Sequence, residues 1–231
     1  MHKLVTRAML PALLASGQML WAGTVSGSSQ GTFQNPVGAP GMVTTGVGTS
    51  TFTWGDPTGF PTGPSSLHFG GLAFNSVPTE TQFKIGALDY FNGTVNAGTF
   101  ADTVSLVLAV DFSDPNGITQ NFAYDLQLIN TPNTGTPDEA ADYVILPPFP
   151  DTILQIGAQQ YTLKLAFGNV TANGFVIVNQ FHVLEGQSAS ADLIGTITSD
   201  VSGVVPEPGT LVLVSPLLFA TALRLRRRQV R

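Results

Sequence analysis

The 231-residue chain contains no cysteine, so disulfides, thiolate nucleophiles and cysteine-based metal sites are excluded and stability rests on packing and hydrogen bonding. Charged residues make up only 10%, while 25 glycines and 16 prolines favour turns and strands over long solvent-facing helices. Most basic residues sit near the termini, which leaves Lys84 and Lys164 against fourteen acidic residues between positions 23 and 204; that net charge of −12 argues against nucleic acid as a partner, because neutralising phosphates requires cations.

The first predicted element is a secretory signal peptide over residues 1–22. Lys3 and Arg7 precede an apolar stretch from Ala8 to Leu20, small residues follow, and cleavage is expected after Ala22. A retained anchor is the weaker alternative: Pro11, Ser16, Gly17 and Gln18 make a poor membrane helix, and the run falls short of the roughly 20 residues that a span requires. Residues 23–47 read as a Gly/Ser/Thr-rich leader. Within it, Gly27 to Gly31 fits a Gly-x-Ser-x-Gly pattern with Ser29 in the nucleophile position. That motif needs a strand-to-helix turn, which a Gly/Ser-rich stretch does not supply, so the match is taken as chance.

From 48 to 200, short apolar alternations separated by turn residues predict about eight to ten strands. "TVSLVLAVDF" puts Val104, Leu106, Leu108, Val110 and Phe112 on one face, and Thr103, Ser105 and Asp111 on the other. Phe122, Tyr124, Leu126 and Leu128 repeat the pattern, as do Tyr161, Leu163, Leu165 and Phe167, with Thr162 and Lys164 outward. "STFTW", "SLHFGGLAF", "TQFKIGALDYF", "FVIVNQFHVL" and "ADLIGTIT" are further candidates, and no segment keeps a helical period over three turns. The expected fold is all-β: an antiparallel β-sandwich of jelly-roll type, flanked by the signal peptide and a short C-terminal membrane or sorting helix.

Residues 201–209 read as a linker and 210–231 as a hydrophobic sorting helix with a basic tail. The apolar run Leu211 to Leu223 has Pro216 inside it and reaches only about 20 Å as a helix, against a hydrocarbon core of about 30 Å. Arg224, Arg226, Arg227, Arg228 and Arg231 would hold the terminus on the cytoplasmic side with the body outside. Pro206 and Pro208 keep the preceding backbone extended and unpaired, open to a processing enzyme. In this order, Val205-Pro206-Glu207-Pro208, the apolar run and the arginines resemble the PEP-CTERM sorting signal of exported bacterial proteins, with Pro206, Glu207 and Pro208 matching its signature tripeptide. The resemblance implies an exosortase-type membrane enzyme as partner and a transient inner-membrane intermediate. Delivery would follow to the cell surface or the extracellular matrix of a Gram-negative bacterium that makes exopolysaccharide and biofilm.

The body carries its own resemblance. "STFTWGDP", "SSLHFGGLAF", "FKIGALDYFNGT", "LQLINTPNTGTPDEAADYVILP" and "FHVLEGQSASADLIGTIT" look like the choice-of-anchor K domain of exported bacterial proteins, most sharply at Phe52, Trp54 and Gly55. The likeness covers most of residues 48 to 200, implies no assigned reaction and transfers no functional residues.

Chemistry therefore has to be sought in the residues themselves. His68 and His182 are the histidines left after processing, both in strand patterns, and two histidines without cysteine supply few zinc ligands. Two acidic loops stand out: "DFSDPNG", with Asp111 and Asp114 beside Ser113 and Asn116, and "TPDEAADY", with Asp138, Glu139 and Asp142. Either could contribute oxygen ligands to calcium, which takes six to eight, although neither has EF-hand spacing and solvated turns are the simpler account. No other cofactor is expected. Trp54, Phe60, Tyr90 and Phe91 flank Gly/Pro/Asn-rich turns, where an exposed ring would stack on extracellular polysaccharide, while most aromatic residues are expected in the core.

The expected function is that of a non-enzymatic exported surface or matrix component. A carbohydrate-binding module, with or without calcium, is the first alternative and requires an exposed aromatic face. A secreted hydrolase is the second and requires a cleft with paired carboxylates or a histidine dyad.

Overall fold

The computed structural model describes residues 23–114, 117–147, 153–156 and 159–199; the expected signal peptide, the Pro-Glu-Pro linker and the C-terminal helix with its arginines lie outside them. In chain order the strands are β1 (Thr24–Gly38), β2 (Thr44–Thr45), β3 (Thr51–Trp54), β4 (Ser65–Gly71), β5 (Ala73–Pro78), β6 (Gln82–Phe91) and β7 (Ala101–Asp114). They continue with β8 (Ile118–Ile129), β9 (Asp142–Ile145), β10 (Ile153–Ile156), β11 (Gln159–Val170), β12 (Gly174–Ile177), β13 (Gln180–Val183) and β14 (Ser188–Ser199). No helix occurs among the described residues. The strands form two antiparallel seven-stranded sheets, ordered β12-β13-β9-β8-β7-β1-β5 and β10-β11-β14-β6-β4-β3-β2, in a sandwich-like all-β arrangement.

Alternation of apolar and polar residues explains β7 and β8. In the β7–β8 hairpin Val104 faces Leu126, Leu106 faces Tyr124 and Leu108 faces Phe122, and all six are buried, so each cross-strand pair closes one rung of the core. On the opposite face Ser105 donates to Asp125 Oδ1 at 2.5 Å, and Val107 pairs with Ala123. Rings join the two sheets: Phe33 of β1 lies 6.1 Å from Phe52 of β3, Trp54 stacks between Phe52 and Tyr90, and Tyr90 of β6 meets the edge of Phe181 of β13 at 6.2 Å. Burying rings of this size contributes about 1.5–3 kcal/mol each.

Four expectations need correction. Residues 23–47 are no leader outside the domain: β1 pairs with β5 on one side and with β7 on the other, and Val25 and Phe33 are core residues. Its Gly-rich composition reflects close packing, since a Cβ on Gly31 would stand 2.5 Å from the Phe69 ring. "SLHFGGLAF" is two strands, because the chain leaves one sheet after Gly71 and enters the other at Ala73. Among the described residues between 48 and 200 there are also twelve strands rather than eight to ten, because pieces as short as β9, β12 and β13 leave too few residues for alternation to register. Thr162, placed outward by its pattern, is buried.

Candidate functional site

Four loops meet at one end of the sandwich: 55–64 after β3, 92–100 after β6, 130–141 after β8 and 184–187 after β13. The strand registers dictate this meeting, because Ser188 faces Phe91, Ser66 faces Phe91 and Val183 faces Asp142. Gly55 begins the first loop at φ +88, and a Cβ there would lie 2.5 Å from Val95, so the residue after Trp54 must be glycine for the second loop to close over it. Side chains then tie the loops together. Asp56 N–H donates to Thr99 Oγ1 at 2.9 Å, Asn96 Nδ2 donates to the Thr58 carbonyl at 3.1 Å, and Ser65 Oγ donates to the Gly93 carbonyl at 3.0 Å. Asn92, fully buried, donates through Nδ2 to the Val183 carbonyl at 3.0 Å, while its Oδ1 has no partner among the described residues.

A groove of about 380 Å³ opens between these loops. Asp142, only 3% exposed, lines it from the start of β9. Its Oδ1 accepts from Thr131 N–H at 2.7 Å and from Thr131 Oγ1 at 2.9 Å, and no side chain or backbone group among the described residues donates to Oδ2. Burial pushes its carboxyl up to about 6, against the opposing pull of the two Thr131 bonds and with added repulsion from Glu185. Glu185 accepts from Thr94 Oγ1 and lines the same groove. Tyr90, beneath them, is held well above the usual phenol range by burial and by the Asp142 and Glu185 charges. Phe60, 41% exposed, lines the groove as well, as do Asn130 and Asn133. A second depression shares Asn133 and Glu185 with the first and runs on toward Asn173 and Gln187.

The sequence-derived candidates separate in space. Asp111 and Asp114 lie at the far end of β7, where Asp111 accepts from Thr119 Oγ1 and from Gln30 Nε2 at 3.5 Å; Asn116 falls outside the described residues. Asp138 and Glu139 are exposed, and Glu139 Oε2 accepts from Thr136 N–H at 2.8 Å and Thr136 Oγ1 at 2.9 Å, bonds that lower its carboxyl. Asp142 turns away from both into the groove. Among the described residues no three His, Asp or Glu side chains gather around a common point. The sorting residues Pro206, Glu207, Pro208, Arg224, Arg226, Arg227, Arg228 and Arg231 lie outside the described residues.

Ser29 sits on β1 with its hydroxyl donating to the Ile85 carbonyl, a structural bond with no histidine involved. His68 is on β4, with Nδ1 3.0 Å from Thr51 Oγ1, and His182 is on β13 of the other sheet, stacked between Tyr143 and Phe175, where burial lowers its pKa. The two histidines therefore form no dyad. Of the four loop-flanking aromatic residues, Trp54 and Tyr90 are core and Phe91 is half-buried, so Phe60 alone among them is exposed. Sequence reasoning missed Glu185 and Thr94: neither belongs to an acidic run, and only the Val183–Asp142 register brings Glu185 beside Asp142.

Fold and site together define a β-sandwich-like protein with a polar, acidic groove at one end. No protein-family model matches the chain, and no curated protein is significantly similar to it.

Proposed function

We propose that this chain is an exported bacterial protein of the PEP-CTERM type with a choice-of-anchor K-like body, processed by an exosortase-type enzyme and acting without catalysis at the cell surface or in the exopolysaccharide matrix. The observation that carries this reading is the sequence of three parts at the tail: Pro206-Glu207-Pro208, then the apolar run Leu211 to Leu223, then the five terminal arginines. The start of β1 at Thr24 supports it, since cleavage after Ala22 would leave every strand intact. The last strand, β14, likewise ends at Ser199, ahead of the tripeptide. A jelly-roll-like wiring is the finer proposal for the fold, on the ground that the chain passes repeatedly between the two sheets. Intact-mass measurement on protein from the native cells is the test. The expected species lacks residues 1–22 and the arginine cluster; an exported form that keeps Arg224 to Arg231 would overturn the sorting-signal reading.

A second reading, saccharide binding by the loop-end groove, is favoured by the position of exposed Phe60 over a pocket that also holds Asp142, Asn130 and Asn133. An apolar ring face beside fixed oxygen and amide groups matches the two kinds of surface on a sugar.

A further inference from the structure

Asp142 and Glu185 line one groove, and among the described residues no basic side chain lines it with them. Asp142 is almost wholly buried, has Oδ1 committed to Thr131 and lacks a protein donor for Oδ2 among the described residues. Glu185 is fixed at Oε1 by Thr94 and stands near enough for its charge to act on Asp142. Two carboxylates sharing a partly desolvated site repel each other, and a positive group placed between them relieves both the repulsion and the desolvation. A bare metal ion would draw on the carboxylates and amide oxygens and leave the exposed ring of Phe60 unused. The exposed ring of Phe60, the amides of Asn130 and Asn133, and the continuation of the groove past Glu185 suit a longer body that carries hydroxyls and an apolar face.

We propose that the groove binds a cationic amino sugar within a polysaccharide, with its ammonium between Asp142 and Glu185, its ring face on Phe60 and its hydroxyls toward Asn130 and Asn133. This rests on the second reading above, that the groove takes saccharide. It adds that the selected feature is a free amine rather than a neutral or acidic sugar. The body charge of −12 points the same way, since it repels uronic acids and attracts cationic glycans.

The test is calorimetric titration of the mature protein with a short glucosamine oligomer, its fully N-acetylated counterpart and calcium chloride, in buffer with enough salt to screen exposed charge. The glucosamine oligomer is expected to bind at least tenfold more tightly than the acetylated one. Asp142→Asn and Glu185→Gln should each weaken it about tenfold or more, as expected when a charge-assisted hydrogen bond is lost. Phe60→Ala should weaken both oligomers, and Asp111→Asn at the opposite end should change neither. Thermal melts of each variant establish that it is folded, and Asn at 142 still offers an oxygen to Thr131. Equal binding of both oligomers would overturn the ammonium proposal and leave the saccharide reading standing. Binding of neither would overturn both. Calcium binding that Asp142→Asn abolishes, or glucosamine binding that survives Asp142→Asn with Glu185→Gln, would overturn the proposal in favour of a metal site or of general attraction to an acidic surface.

Discussion

Acidic residues mark both ends of the sandwich, yet the two ends are built differently. At the β7–β8 end Asp114 is exposed, and Asp111 takes bonds from Thr119 and Gln30 on an open strand face. At the other end four loops converge, Asp142 is buried beneath them, and Glu185 arrives from a different sheet position to share its cavity. The density of carboxylates in the local sequence is similar at the two ends. What differs is burial, and only removal from water changes a carboxylate's behaviour.

The largest effect should come from breaking both ends at once. β1 runs the length of the sandwich, with Ser26 facing Asp114 at one end and Gly38 facing Ala101 at the other. Removing residues 23–47 deletes the buried Val25 and Phe33 and leaves β5 and β7 without a shared neighbour, a loss comparable with the whole stability of about 5–15 kcal/mol. Residues 48–200 alone are therefore expected to show no cooperative thermal transition by circular dichroism, whereas residues 23–200 should melt cooperatively. A cooperative melt of the shorter chain would show that the ends do not depend on β1.

Glycine substitutions separate the ends next. Gly55 and Gly117 both have positive φ, at +88 and +58, but a Cβ on Gly55 meets Val95 at 2.5 Å while one on Gly117 meets nothing within 4 Å. Gly55→Ala should cost about 2–4 kcal/mol and distort the groove, and Gly117→Ala about 1 kcal/mol, as read from urea midpoints. Equal costs would mean that Val95 moves aside freely and that the loop end is not tightly packed.

The parts legible in the sequence were those governed by local period. β7, β8 and β11 were visible because Val104 to Phe112, Phe122 to Leu128 and Leu163 to Phe167 alternate over several residues against a one-sided core. β1 was hidden because its glycines answer to a ring on another strand, Phe69 against Gly31, which no window along the chain displays. Asp138, Glu139 and Asp142 looked alike in "TPDEAADY"; the register of β9 with β13 sends the last of them inward and supplies Glu185. Phe60 stands out in the sequence as a ring beside a turn, but its exposure depends on the Trp54–Gly55 turn holding its loop outside the core.

Titration of Asp142 gives a smaller contrast of defined sign. Its folded-state carboxyl, at about 6, lies above the ordinary value of 3.8, so its neutral form stabilises the fold fully below the lower value, and that contribution is lost as pH rises through about 6. The loss amounts to about 2–3 kcal/mol. Asp56, Glu139 and Asp192, lowered mainly by bonds from Thr58, Thr136 and Lys84, act in the opposite sense, so the comparison must be made against a variant. Asp142→Asn is expected to match the parent near pH 4 and to exceed it by about 1–2 kcal/mol at pH 8, while Asp111→Asn should stay within about 0.5 kcal/mol at both. A parent that is no less stable than Asp142→Asn at pH 8 would mean that Asp142 is well solvated and that the two ends are equivalent.

Calcium should distinguish the ends least. A calcium site draws together six to eight oxygens, but Asp111 is engaged by Thr119 and Gln30, Glu139 by Thr136, and Asp114 and Asp138 stand exposed. What these carboxylates present is a diffuse negative potential, which any divalent cation screens. Calcium and magnesium at equal concentration are therefore expected to raise stability by the same amount, below about 1 kcal/mol, and Asp111→Asn with Asp114→Asn, or Asp138→Asn with Glu139→Gln, should leave the calcium–magnesium difference at zero. A ligand that binds only the folded state adds about 2.7 kcal/mol at a hundredfold excess over its Kd, so a specific site would stand clear of that background. A calcium-specific shift of this size, removed by one of the paired variants, would place a metal site on an exposed loop and show that converging segments are not needed to make a carboxylate functional in this fold.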